Sequence, residues 1–162
     1  MGVLFLWMVM AFAAPEMIPT EDVDLVGRTA PPIQAQMMEG GDFSLESLRG
    51  SPVVLAFWAS WCGPCRNELP ALSELAKKRP EVKFFAVNVD REIPPAQRFL
   101  DQVKSELPVV WDQQSIALGS FQVLSMPTLF LIDKRGTVKF LKVGYGTASG
   151  LTDLEKALDE LK

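Results

Sequence analysis

The chain has 162 residues, of which 48% are hydrophobic and 22% charged, a composition typical of one folded domain rather than a disordered chain. It contains no histidine and only two cysteines, which excludes Ser-His-Asp triads, Cys-His pairs and His-ligated or four-cysteine metal sites. The net charge of −4 argues against a nucleic-acid partner, because nucleic acids require a basic surface. We therefore expect no metal and no nucleic acid.

The first 14 residues are uncharged and apolar or small. They are too few to span a membrane, which takes roughly 20 residues, and Ala11-Phe12-Ala13 matches a signal-peptidase site. No basic residue precedes this run, so a buried helix or an uncleaved anchor remains an alternative. We interpret residues 1–13 as a signal peptide, 14–30 as an acidic linker and 31–162 as one domain. This predicts an exported, periplasmic or otherwise extracytoplasmic protein.

The predicted domain begins with a hairpin, because Ile33–Met37 and Asp42–Leu45 flank the turn Glu39-Gly40-Gly41. Ser44–Gly50 predicts one capped helical turn closed by glycine. Pro52–Trp58 is a continuous apolar run, which is the pattern of a strand buried on both faces.

Helices and strands then alternate along the chain. In order, the sequence predicts a helix over about Gly63–Lys78 with a kink at Pro70, a strand at Val82–Val89, a helix at Pro94–Lys104, a strand at Val109–Trp111, a helix at Ser115–Phe121, strands at Thr128–Ile132 and Val138–Val143, and a helix at Thr152–Leu161. This alternation predicts an α/β sandwich, in which a mixed central sheet carries helices on both faces.

Both cysteines belong to one motif, Cys62-Gly63-Pro64-Cys65, between a predicted buried strand and a helix. Free backbone N–H groups and the macrodipole at a helix N-terminus stabilise a thiolate, which favours Cys62 as the nucleophile. Cys65 lies one turn later and can resolve a mixed disulfide. A structural disulfide is the alternative, but a ring of four residues constrains the unfolded chain little. The motif therefore predicts a redox pair.

The segment from Phe57 to Pro70 resembles the active-site segment of the thioredoxin superfamily. More narrowly, it resembles the extracytoplasmic thiol–disulfide oxidoreductases of the TlpA/ResA/DsbE group, over about residues 30–162. The resemblance implies a thioredoxin-like fold with an N-terminal hairpin and an inserted helix–strand segment. It implies a protein thiol or disulfide as substrate and a membrane-linked reductase as electron donor, and we expect no cofactor.

The resemblance also implies that Pro127 is cis and packs beside the disulfide. The backbone of Met126 would then bind an extended substrate segment. An ordinary proline at the start of a strand is the alternative. Trp61 is predicted to cover the thiolate and contact partners, with packing against the helix as its alternative.

One position departs from the thioredoxin pattern. Six residues before the first cysteine, thioredoxins carry a buried Asp that helps to deprotonate the second cysteine, and here that residue is Ala56. Glu68 is the candidate replacement, because it lies three residues after Cys65 on the same helical face and the ResA-like group has a Glu there. Burial would raise its pKa and allow it to relay a proton. A solvated surface Glu68 is the alternative.

Three hypotheses for the function are weighed against these features. The leading hypothesis is an exported disulfide reductase, because Gly63-Pro64 is the pair found in thioredoxin, a reductant. By resemblance, its substrate could be the Cys-x-x-Cys-His of an apocytochrome c. The second is a peroxidase of the peroxiredoxin group, which expects a Thr or Ser and a Pro where this chain has Ala59 and Leu55, so the peroxide pocket of that group is missing. The third is a thioredoxin-like binding module or chaperone whose disulfide is incidental.

Overall fold

The structure, a computed structural model, describes residues 24–146 and 150–161. The predicted signal peptide and the first part of the predicted linker lie outside the described residues. None of the helices in the described ranges is long and apolar enough to cross a membrane.

The elements follow the predicted order, with ends that differ by at most two residues. They are β1 (Gln34–Met37), β2 (Asp42–Ser44), a 3-10 turn (Glu46–Leu48), β3 (Val53–Trp58), α1 (Cys65–Lys78), β4 (Lys83–Asn88), α2 (Ile93–Val103), β5 (Val109–Trp111), α3 (Ile116–Ser120), β6 (Thr128–Ile132), β7 (Val138–Val143) and α4 (Thr152–Asp159).

The strands form one sheet in the order β2-β1-β5-β4-β3-β6-β7. Strand β4 runs parallel to both β3 and β5, and the other pairings are antiparallel. The N-terminal hairpin extends the sheet through β1, which pairs with β5 of the inserted segment. The predicted mixed sheet and thioredoxin-like architecture are therefore confirmed.

Both faces of the sheet are buried, which explains why its central strands have no polar alternation. Successive side chains of β3 point to opposite faces. Ala56 and Trp58 belong to the apolar cluster beneath α1, α2 and α4, which we call the α1 cluster. Leu55 and Phe57 belong to a second cluster, on the side of α3. The two cysteines lie in the α1 cluster.

The described part of the segment interpreted as a linker is packed against the domain. Leu25 and Ala30 are buried in the second cluster. Thr29 forms a β-bridge with Thr137, and the backbone N–H of Gly27 donates to the carbonyl of Val138 at 2.8 Å. The packed part of the chain therefore already includes Leu25, because the apolar side chains of Leu25 and Ala30 complete the second cluster.

The helical turn after β2 is present, but Ser44 does not cap it. The Ser44 hydroxyl instead donates to the Glu46 carboxylate at 3.3 Å. Gly50 closes the turn with a φ of 97°, a conformation that glycine adopts without strain.

Candidate active site

Cys62 and Cys65 form a disulfide at the N-terminus of α1, with their Cα atoms 5.4 Å apart. Cys62 is 4% exposed and Cys65 is fully buried. The backbone N–H of Cys65 donates to the sulfur of Cys62 at 3.3 Å. This donor belongs to the first turn of the helix, whose N–H groups have no carbonyl partner within the helix. It is placed to stabilise a thiolate on Cys62 once the disulfide is reduced.

The residues around the pair are more accessible than the sulfurs. Gly63 and Pro64 are exposed. The side chain of Trp61 is 72% exposed, so it does not pack against the helix. Trp58, by contrast, is fully buried and its ring lies 5.1 Å from that of Phe99. The structure therefore presents one tryptophan of this segment to solvent beside the redox pair and uses the other in the core.

Asp90 fixes the segment that leads into Cys62. Its carboxylate accepts hydrogen bonds from the backbone N–H of Ser60 at 2.8 Å and from the Ser60 hydroxyl at 2.7 Å. The side-chain amide of Asn88 donates to the same carboxylate at 2.8 Å. The indole N–H of Trp111 donates to the Asp90 carbonyl at 2.8 Å. Asp90 was not singled out from the sequence; the available signal was the pair of polar residues Asn88 and Asp90 at the end of an apolar strand.

Glu68 is 1% exposed, so the solvated alternative is wrong. It lies one turn after Cys65 on the buried side of α1. Neither of its carboxyl oxygens has a hydrogen-bond partner among the described residues. Burial raises the pKa of Glu68 to about 8, while the positive charge of Lys142 acts in the opposite direction. A carboxyl group with this pKa can take up or release a proton near neutral pH.

The Met126–Pro127 peptide bond is cis, as expected from the family resemblance. Pro127 is buried, and Met126 is half-buried against the α1 cluster that contains both cysteines. Thr128, the first residue of β6, pairs with Phe57 near the end of β3. Because β3 leads directly into Cys62, this loop and the redox pair lie at the same end of the sheet.

Comparisons with known proteins match this geometry. Residues 26–141 match the AhpC/TSA family. The chain is 36% identical over 139 residues to the thiol-disulfide oxidoreductase ResA of Geobacillus kaustophilus, covering 85% of this chain and 78% of ResA. It is 31% identical over 137 residues to the thioredoxin-like protein YneN of Bacillus subtilis, covering 82% and 78%. A Chlorobium tepidum protein assigned as the thiol:disulfide interchange protein DsbE has a similar structure, with a TM-score of 0.78, 35% identity and coverage of 84% and 96%.

Proposed function

The chain belongs to the AhpC/TSA family as a thiol–disulfide oxidoreductase, and we propose that it is an exported reductant of protein disulfides. The observation that carries this proposal is the N-terminal position of the disulfide on α1, with the N–H of Cys65 directed at the sulfur of Cys62. This arrangement favours Cys62 as the attacking thiolate and Cys65 as the resolving thiol.

The reaction passes two electrons from the dithiol to the substrate. The Cys62 thiolate attacks one sulfur of the substrate disulfide, and the other substrate sulfur leaves as a thiolate and takes up a proton. Cys65 then gives its proton to the Glu68 carboxylate or to water, and its sulfur attacks the sulfur of Cys62. The Cys62–Cys65 disulfide forms, the mixed disulfide breaks, and the second substrate sulfur leaves as a thiolate that takes up a proton from Glu68 or water.

Glu68 suits the proton step because its pKa of about 8 is close to that of an ordinary thiol, near 8.5. Proton transfer between groups of similar pKa has no large energetic cost in either direction. Ala56 is buried in the sheet, and its methyl side chain cannot accept or donate a proton. Glu68 on α1 therefore supplies the acid–base group that β3 lacks at Ala56.

Substrate binding is assigned to Trp61, Met126 and Pro127. The exposed indole of Trp61 offers an apolar contact next to the redox pair. The cis-proline loop lies at the same end of the sheet, where the Met126 backbone can pair with an extended polypeptide. These positions favour a protein substrate over a small molecule.

The direction of electron flow and the compartment are further parts of the proposal. Gly63-Pro64 between the cysteines and the absence of histidine favour a reductant. The apolar N-terminus, interpreted as a signal peptide over 1–13, favours export. An exported dithiol needs electrons from a membrane-linked reductase, and the Cys-x-x-Cys-His of an apocytochrome c is the substrate that we propose first.

Trapping of the mixed disulfide tests the substrate and the compartment. Cys65→Ser cannot resolve the intermediate, so the full chain expressed in its own host should retain a disulfide-linked exported protein. The Cys62→Ser/Cys65→Ser double variant is the matched control and should trap nothing. Trapping of cytosolic proteins alone would contradict export.

Activity assays distinguish the alternatives. The reduced wild-type chain should reduce a protein disulfide and should not consume peroxide with a thiol donor, since Ala59 replaces the Thr or Ser, and Leu55 the Pro, that a peroxiredoxin site requires. Full reductase activity in Cys62→Ser would overturn the assignment of the nucleophile and favour an incidental disulfide in a binding module.

A further inference from the structure

The strand register places Lys142 in the same row of the sheet as Ala56. Leu129 pairs with Ala56 on one side and with Lys142 on the other. Directly paired residues of antiparallel strands project to the same face. Ala56 and Leu129 both belong to the α1 cluster, together with Cys62 and Cys65. The side chain of Lys142 therefore projects to the face of the sheet that carries the redox pair.

The ammonium group of Lys142 is held on that face by Asp153 of α4 and by Gly150, two residues before the helix begins. Its Nζ donates to the carbonyl of Gly150 at 2.8 Å and lies 3.6 Å from the carboxylate of Asp153. The side chain is only 14% exposed. A lysine on an edge strand usually extends into water, so these contacts fix a positive charge in the protein layer between β7 and α4.

Glu68 is the buried acid on which this charge acts. Its carboxyl group is enclosed on the inner side of α1, and Lys142 is the charged residue whose field opposes the effect of burial on its pKa. From α4, Asp153 faces Lys142. Helix α2 packs against α1 with apolar side chains, namely Ala96, Phe99 and Leu100. In the sheet beneath α1, the row next to Lys142 continues through the apolar side chains of Leu129, Ala56 and Ala86.

We propose that Lys142 is a positioning residue for the thiol chemistry, and that its ammonium group keeps the Glu68 carboxylate available to accept the Cys65 proton. The proposal rests on the proposed function of Glu68. In the resolving step, the S–H bond of Cys65 breaks and an O–H bond forms on Glu68. Helix α1 thus provides the acid and β7 provides its counter-charge, whereas β3 contributes only the methyl group of Ala56 to the row that contains Lys142.

The effect of Lys142 on the pKa of Glu68 is measured directly on the full, oxidised chain. Isotope-labelled glutamate and NMR give the pKa of the Glu68 carboxyl group, with Glu68→Gln identifying its signal. Lys142→Met should raise this pKa by about one pH unit, the effect of removing a nearby opposite charge. Lys142→Arg should restore it. Lys139→Met removes a lysine from the exposed side of the same strand and should leave it unchanged.

The resolving step gives the functional readout without a physiological substrate. The reduced chain attacks the chromogenic disulfide DTNB, and release of the second chromophore reports the attack of Cys65 on the mixed disulfide. In Lys142→Met, the pH profile of this second phase should move up by about one unit, with about tenfold slower release near pH 7. The first phase, which depends on Cys62, should change little.

An unchanged Glu68 pKa in Lys142→Met would overturn the inference, as would an equal shift in Lys139→Met. If Lys142→Met fails to fold, Lys142→Gln provides the same test with a shorter polar side chain. Failure of the proposed function would give a different result from failure of the inference about Lys142. The wild-type chain would then reduce no protein disulfide, while the Glu68 pKa would still respond to Lys142.

Discussion

The Asp90 carboxylate binds both polar hydrogens of Ser60, the backbone N–H at 2.8 Å and the hydroxyl at 2.7 Å. Ser60 lies two residues before Cys62, and Asp90 follows the neighbouring parallel strand β4. This pair therefore connects the ends of two central strands at the point where the chain turns into the redox motif. It holds the turn in place without contacting either sulfur.

Asp90→Ala should therefore weaken both stability and the first thiol step. The variant leaves the partly buried N–H of Ser60 without its acceptor, which should lower the free energy of unfolding by about 1–3 kcal/mol. The less ordered turn should also slow the attack of Cys62 on DTNB. Urea denaturation and stopped-flow absorbance measure the two effects.

Asp101→Ala is the matched control, because Asp101 is exposed on α2 and its carboxylate accepts from the side chain of Gln97, four residues away on the same helix. We expect a change within about 0.5 kcal/mol for this variant. Equal losses in the two variants would show that the Asp90–Ser60 contact has no special role.

The buried carboxyl group of Glu68 should make the oxidised protein less stable as the pH rises. Its pKa is 4.5 in the unfolded reference and about 8 in the fold, so the folded state binds more protons between these values. The free energy of unfolding should fall from about pH 4.5 and level off above pH 8, by at most about 5 kcal/mol. Glu68→Gln should remove this fall.

The comparison uses urea denaturation of both oxidised proteins at matched pH values. Other titrating groups contribute equally to the two curves, so the difference between them isolates Glu68. A difference that is constant with pH would contradict a buried, neutral Glu68.

Trp61→Ala should impair reduction of protein disulfides more than reduction of small ones. The indole is 72% exposed, so its removal should change the free energy of unfolding by no more than about 0.5 kcal/mol. Loss of its apolar contact should raise KM for a protein substrate several-fold, while the rate with DTNB changes little. Ile116→Ala, which removes an exposed side chain from α3, is the control and should affect neither substrate.

Gly136→Ala should destabilise the turn between β6 and β7. Gly136 has a φ of 82°, a backbone conformation in which a residue with a Cβ atom is strained, and the guanidinium group of Arg49 would also have to move aside for this atom. We expect a loss of about 1–3 kcal/mol in the free energy of unfolding. Gly119→Ala is the control, since its Cβ would meet no atom within 4 Å among the described residues. A loss of similar size at Gly119 would contradict this explanation.

The elements and the redox pair could be predicted from local sequence. The apolar run of β3 and the Cys-x-x-Cys motif each depend on neighbours along the chain. The sequence predicted part of the environment of Glu68, because this residue shares one helical face with Cys65, Leu69 and Leu72. Whether other elements covered that face depended on tertiary packing.

Asp90 and Lys142 could not be assigned from sequence in the same way. Asp90 reaches Ser60 only because β3 and β4 are parallel neighbours, and they are separated by a whole helix in the chain. The face of the sheet to which the Lys142 side chain projects follows from the register of β6 with β7. This register includes an irregularity near Ile132. Both roles arise from contacts between residues far apart in sequence.

The position of the two cysteines also determines how the chain can oxidise. The chain has two cysteines in all, and they pair with each other across a separation of three residues. Oxidative refolding of a single chain therefore has one possible product, with no mispaired isomer to reshuffle. The core must hold the domain together in either redox state, so the protein can gain and lose its disulfide repeatedly without the help of an isomerase.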